Sequence, residues 1–258
     1  MCVIAFAYKM PGLGQLLLLA NRDEFYARPA AALDYWPDQA HILGGRDLQA
    51  GGSWLAITSA GRIAAITHIR EGYAKPGERS RGELVKRFVS GTESVLDFVH
   101  SLSEERSHYA PFNLLFGAAD DLYHYHSRSN QLTRITPGIH TLSNATLDTP
   151  WFKSERLAQH LEQLRRVPSD TDAFSWLEDS AQPPQERLPN TGIGSSLERQ
   201  LSSIFINARD YGTCASTMLA VSARGDVSCA ERSFGLSGRE TGRRRYTMRP
   251  GQSAPGTR

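Results

Sequence analysis

Cysteine is scarce in this chain, with Cys2, Cys214 and Cys229 the only three in 258 residues and no CxxC pair among them. That excludes a disulfide framework and a zinc ribbon, and it fits a reducing compartment. Long apolar runs are also missing. None approaches the roughly 20 residues that cross a bilayer. The opening stretch is interrupted by Lys9, Pro11, Gly12 and Gly14 and lacks the basic start of a secretion signal. A cytoplasmic protein with no stable membrane insertion is expected. Excess charge is slight at +2, and part of it sits in the last twenty residues, so the body is near neutral and no nucleic-acid partner is expected. There is no P-loop, GxGxxG or HExxH. His124 and His126 share one strand face, but two imidazoles without a third ligand are not a metal site. No metal and no resident cofactor is expected.

What is present is a strand-rich pattern. Cys2–Tyr8 and Gln15–Ala20 are nearly continuous apolar runs, suited to strands buried on both faces. A loop-rich stretch with Arg28-Pro29 follows, then Ile42–Ala50, and Trp54–Thr58 with Arg62–Thr67 reads as a second hairpin. Ser80-Arg81-Gly82-Glu83 has capping-box spacing and opens a helix, and a second helix carries Val95, Leu96, Val99 and Leu102. Strand signals return at Phe112–Gly117, Leu122–Ser127, Leu132–Ile135 and Ile139–Ser143. Helices follow at Pro150–Arg165 and Thr171–Ser180, then a polar segment 182–199 expected as an exposed loop. Strands near Ser202–Asn207, Ser216–Val221 and Val227–Phe234 close the body. Strands and helices come in blocks rather than alternating, which disfavours a doubly wound parallel sheet. The expectation is an α+β fold of two mainly antiparallel sheets between helical layers. It forms one domain over residues 1–235, followed by a basic, disordered tail over 236–258.

Cys2 directly follows Met1. Removal of Met1 would place a thiol and an α-amine on one residue, and an amine of pKa about 7.7–8 can take the thiol proton. Four clusters could support such a nucleophile. Asn21-Arg22-Asp23-Glu24 ends the second strand, where an Arg can stabilise a thiolate and a carboxylate can orient the amine; the alternative is a surface loop with an ion pair. Asn144, at the end of a strand, can donate to an oxyanion or simply cap the helix that follows. Gly51-Gly52-Ser53-Trp54 allows close backbone approach, with Trp54 walling an apolar pocket or sitting in the core. Cys214, in Tyr211-Gly212-Thr213-Cys214, is expected as an inert buried thiol.

These segments together resemble the NRDE family, also called the transport and Golgi organisation protein 2 family. The match rests on Met1-Cys2, Ala20-Asn21-Arg22-Asp23-Glu24-Phe25, Gly45-Arg46-Asp47-Leu48, Gly51-Gly52-Ser53-Trp54-Leu55 and Ser80-Arg81-Gly82. It continues through Phe112-Asn113-Leu114-Leu115, Leu142-Ser143-Asn144-Ala145, Asp148 to Lys153, Ser202 to Phe205 and Glu231 to Phe234. The resemblance implies a four-layer αββα sandwich of the N-terminal-nucleophile (Ntn) hydrolase kind, similar to bile-salt hydrolase and penicillin V acylase. By that likeness Cys2 is nucleophile and base, and Asn144 is an oxyanion donor. Arg22 and Asp23 are the supporting pair if residues are matched by type. Gapless matching would instead give Asn21 and Glu24 those positions. Asn21, Glu24, Trp54 and His68 are expected to contact substrate. The chain departs from the family where His68 follows Thr67 in place of the usual Asn, and where Cys214 follows Thr213 in place of the usual Arg.

Two functions are implied. One is an amidohydrolase or acyltransferase acting on a small acyl amide or thioester. The other is a non-catalytic carrier of haem, lipid or acyl-CoA, contacted by Cys2, His68 or the His124/His126 pair.

Overall fold

The computed structural model describes residues 3–72 and 76–250. Cys2 lies outside the described residues. The chain opens with the expected hairpin, β1 (Val3–Tyr8) and β2 (Leu16–Phe25). Every β1 side chain is buried because its two faces serve different cores. Ile4, Phe6 and Tyr8 point between the sheets, whereas Val3, Ala5 and Ala7 point to a helical layer.

The remaining strands are β3 (Ala30–Trp36), β4 (Gln39–Asp47), β5 (Leu55–Thr58), β6 (Arg62–His68), β7 (Phe112–Ala118), β8 (Asp121–His126), β9 (Gln131–Arg134), β10 (Gly138–Leu142), β11 (Tyr211–Val221), β12 (Val227–Phe234) and β13 (Glu240–Met248). The helices are α1 (Gly82–Ser90), α2 (Val95–Glu105), α3 (Phe152–Glu162), α4 (Asp170–Leu177) and α5 (Ser195–Gln200). One sheet runs β10-β1-β2-β11-β12-β13 and the other runs β3 through β9 in chain order. Each pairing within them is antiparallel.

Three cores make four layers. Leu18, Ala20, Leu55, Ile57, Leu115 and Leu219 pack between the sheets. Leu84, Phe88 and Phe98 of α1 and α2 pack on Ala64, Leu114 and Phe116 of the second sheet. There Phe88 meets Phe98 and Phe116 edge-on at 5.1 and 5.0 Å, the favoured geometry for ring pairs. Leu157, Leu161, Phe174 and Leu177 of α3 and α4 cover Leu17 and Leu19 of the first sheet. The architecture is the expected αββα sandwich.

Several segments differ from expectation. The stretch after Arg28-Pro29 is strand β3, which pairs with β4 along the sheet edge. Ser80 and Glu83 do not form the reciprocal side-chain bonds of a capping box, since Glu83 pairs with Arg79 instead. Segment 182–199 contains α5 rather than only loop, and residues near 202–207 make one isolated bridge, Asn207 to Gly212, instead of a strand. The basic segment expected to be disordered from 236 forms β13 over Glu240–Met248, paired along β12. Its arginines are accommodated by partners on neighbouring elements: Arg244 lies 3.5 Å from Asp34, Arg245 pairs with Asp170, and Tyr246 and Met248 turn inward. No helix among the described residues is long and apolar enough to cross a membrane.

Candidate functional site

Strand pairing gathers the expected site residues at the start of β1. Val3 lies opposite Asn21 on β2, and Ile4 lies opposite Leu142, two residues before Asn144. A cavity of about 780 Å³ opens beside this point. Arg22, Asp23, Glu24, Trp54 and His68 all line it. Its apolar wall includes Ile66, Ile69, Pro111, Ile193 and Leu197.

Glycines shape this wall. A Cβ on Gly45 would fall 2.1 Å from the Trp54 ring, so only glycine lets the indole lie flat on β4. A Cβ on Gly52 would fall 2.4 Å from the Gly82 carbonyl carbon. That close approach docks the start of α1 against the β5 lead-in, where Ser53 N–H donates to the Gly82 carbonyl at 3.0 Å.

The four residues after Ala20 divide by strand alternation. Asn21 turns to the helical layer, donating to the Leu177 and Ile204 carbonyls at 2.8 Å each and accepting from Ser216 Oγ at 2.6 Å. It does not line the cavity, so its expected substrate contact is corrected to a strand–helix tie. Arg22 turns between the sheets, 6% exposed, with its guanidinium 4.4 Å from the Trp54 ring centroid. Asp23 is buried and accepts from Thr213 Oγ1 at 2.7 Å. Glu24 is half-buried and sits 3.9 Å from Arg28. Cys214 falls at the bulge in the β2–β11 ladder, and burial pushes its thiol up to about 11, consistent with an inert residue.

Asn144 is buried at the hub of a polar network. Its Oδ1 accepts from Arg70 Nη2 at 3.0 Å and Lys153 Nζ at 3.3 Å, and its Nδ2 donates to the His68 carbonyl at 3.0 Å. The same Nδ2 lies 3.3 Å from His68 Nε2, which assigns the acceptor role to Nε2 and the proton to Nδ1. Burial, then the nearby charges of Arg81, Arg70 and Lys153, hold the His68 imidazole well below its ordinary pKa, so it is neutral at pH 7.

Arg70, Lys153 and Glu198 were not singled out by sequence reasoning. Arg70 pairs with Glu198 at 3.1 Å, both being nearly inaccessible, and Glu198 also accepts from Thr191 N–H and Oγ1 at 2.6 Å. These bonds draw α5 over the cavity, so the polar segment expected as an exposed loop supplies part of its roof. Of the three, only Lys153 carried a sequence signal, as the end of the Asp148–Lys153 segment.

The His124/His126 pair stands apart from the cavity. His124 Nε2 is bonded to Asn113 Oδ1 at 3.0 Å and burial lowers its pKa to about 4, while His126 Nδ1 is 3.0 Å from Ser129 Oγ. Among the described residues no cluster of His, Cys, Asp and Glu could hold a metal ion.

The sequence model of the family described as Transport and Golgi organisation 2 matches residues 1–235. The chain belongs to that family. It is 32% identical over 259 residues to the mouse "Transport and Golgi organization 2 homolog", covering 91% of this chain and 93% of that one. The human homologue gives 32% over 258 residues with the same coverage. Among solved structures, the Caenorhabditis elegans N-acylethanolamine-hydrolyzing acid amidase orthologue superposes with a TM-score of 0.52 at 11% identity, covering 85% of this chain and 92% of that one. The architecture and the likeness to that solved structure agree on an Ntn-hydrolase-like fold.

Proposed function

We propose that the chain is an N-terminal-cysteine amidohydrolase or acyltransferase acting on an acyl amide or thioester. The observation that carries this reading is that Arg22, Asp23 and His68 line one cavity with an apolar wall, on the β2 end that pairs with the start of β1, and that Asn144 is hydrogen-bonded to this His68. After removal of Met1, the Cys2 α-amine takes the thiol proton and the thiolate attacks the acyl carbon. The leaving group, an amine or a thiol, departs with that proton, and water or another acceptor then cleaves the thioester. Asp23 is suited to orient the α-ammonium, and the Arg22 charge favours the thiolate. Asn144 orients His68, whose Nδ1–H is a second donor for the oxyanion beside Asn144. The apolar wall suits an acyl chain. The solved amidase of the same fold supports amide chemistry as the class to test.

One observation favours the carrier reading instead. The Asn144 amide hydrogens are directed at His68, so presenting one to an oxyanion requires that contact to loosen. In a carrier the cavity holds an acyl ligand and no thioester forms.

Intact mass of the purified protein comes first, followed by a panel of acyl amides and thioesters with the parent and the Cys2→Ser and Cys2→Ala variants. Loss of Met1, turnover by the parent and loss of turnover in both folded variants are expected. Retained Met1, or turnover that survives Cys2→Ala, overturns the enzymatic reading.

A further inference from the structure

Asn144 sits on a short turn that leaves β10 at Leu142 and ends at Asp148. The second sheet holds one side of this turn. Thr67 Oγ1 donates to the Ser143 carbonyl at 2.6 Å, and Asn113 Nδ2 donates to the Ala145 carbonyl at 2.7 Å. Asp148 holds the other side. Among the described strands β10 pairs with β1 alone, and Asp148 takes the place of a further strand at its open edge. The Asp148 N–H donates to the Thr141 carbonyl at 2.8 Å, and Asp148 Oδ1 accepts from Thr141 N–H at 2.7 Å. These bonds keep Asp148 at a φ of 58°, a left-handed conformation uncommon outside glycine.

His140 completes the arrangement. Its Nδ1 lies 2.8 Å from Asp148 Oδ2, and its Nε2 lies 2.9 Å from the Thr136 carbonyl. A carbonyl oxygen only accepts, so Nε2 carries a proton. Asp148 is half-exposed, so the proton between it and Nδ1 belongs to the imidazole, the stronger base. Both ring nitrogens then donate at once, which only the imidazolium can do. Burial opposes that charge, but the bonds to Asp148 and to the Thr136 carbonyl outweigh it and hold the imidazole above its ordinary pKa. Of the groups on the elements packed around it, β1 presents the Phe6 ring, 5.3 Å away, and Tyr8 along the same face. His124 of β8 also senses the Asp148 carboxylate, and burial keeps it neutral with a pKa of about 4. Lys153 of α3 is directed instead at Asn144 Oδ1 and the Leu201 carbonyl.

We propose that His140 and Asp148 are positioning residues for Asn144, the proton between them clasping its turn to the open edge of β10. The clasp is complete below the ordinary histidine value of about 6.5 and is lost as pH rises through the higher folded one. Its meaning for catalysis rests on the amidohydrolase reading, which gives Asn144 its oxyanion role. The clasp itself is tested without turnover.

Two-dimensional proton–nitrogen NMR of the full-length protein reads the protonation of the His140 ring. Amide hydrogen exchange at Thr141 and Asp148, corrected for the intrinsic rate at each pH, reads the turn. In the parent the ring is expected as imidazolium at pH 6. Protection of the two amides should fall at least about tenfold once the proton is lost, the worth of one hydrogen bond to a charged group. Asp148→Asn keeps an acceptor for Thr141 N–H without the charge. It should move the His140 titration below the parent's and show, already at pH 6, the protection that the parent reaches only at alkaline pH. His140→Gln, also uncharged, should loosen the amides in the same way. A neutral His140 ring at pH 6, or equal protection in the parent and both variants, overturns the proposal. In turnover of an acyl amide or thioester at pH 6, Asp148→Asn is expected to lower kcat about tenfold with KM within about twofold, and an unchanged kcat in the folded variant overturns the positioning role. A clasp that titrates as expected in a parent without turnover sinks the hydrolytic reading and leaves the clasp standing.

Discussion

Glu231 is 2% exposed, and burial lifts its carboxyl to about 7. Its pKa is raised on folding, so the folded state holds the proton more tightly than the unfolded chain does. The resulting stabilisation is complete below the unfolded value of about 4.3 and is lost as pH rises through about 7. Glu231→Gln keeps an acceptor for Leu33 N–H and carries no charge. It should therefore be more stable than the parent at pH 8, by about 1–3 kcal/mol, with the difference closing toward pH 4. Urea melts at the two pH values would check this, and a gain of equal size at both would refute the titration argument. Asn144 has a different kind of importance, because its oxygen serves Arg70 and Lys153 while its amide serves His68. Asn144→Ala strips an acceptor from two buried cations, so a stability loss of about 1–3 kcal/mol is expected. In acyl-amide hydrolysis its kcat should fall by about 10²–10³. A variant with unchanged kcat would remove Asn144 from the oxyanion site.

At the scale of elements, α5 shows what local pattern could not convey. Ser195–Gln200 lies in a polar stretch without a strong apolar stripe, so periodicity pointed to loop. What fixes it is Glu198, which reaches Arg70 across 128 positions of sequence. Asn144 and Arg70 are likewise 74 positions apart, and only the pairing of strands brings them together. By contrast, β1, β2 and β7 were legible because burial on both faces demands continuous apolar runs, and the Gly52 contact was foreshadowed by glycines preceding a tryptophan. Asn21–Glu24 was located but its division was not foreseen, since β2 continues to Phe25 and sends Asn21 to the opposite face. If Glu198 is what seats α5, Glu198→Ala should cost about 3–5 kcal/mol by leaving Arg70 buried beside fewer acceptors. Limited proteolysis should then cut preferentially within 185–200. Unchanged stability and cleavage would mean that the apolar contacts of Ile193 and Leu197 hold the segment without it.

For the whole molecule, the extent of the domain is set by packing rather than by the family match, which ends at 235. The first sheet continues through β13, whose Met248 pairs with Val227 and is 3% exposed in the core between the sheets. Tyr246 meets Tyr35 of β3 edge-on at 5.4 Å, joining the edge of one sheet to the edge of the other. An arginine-rich, glycine-punctuated stretch reads as solvated tail when its pairing partners are not visible, which is why composition misplaced the boundary. If β13 is structural, a chain ended after Arg239 loses a buried methionine and the cover of Val227 and Cys229, and it exposes the edge of β12. Losing a buried Met side chain alone costs about 2–5 kcal/mol. In a domain of this size that corresponds to a fall in Tm of roughly 4–20 °C. Thermal melts of the two chains at equal pH and salt decide it, since a dispensable tail would leave Tm unchanged.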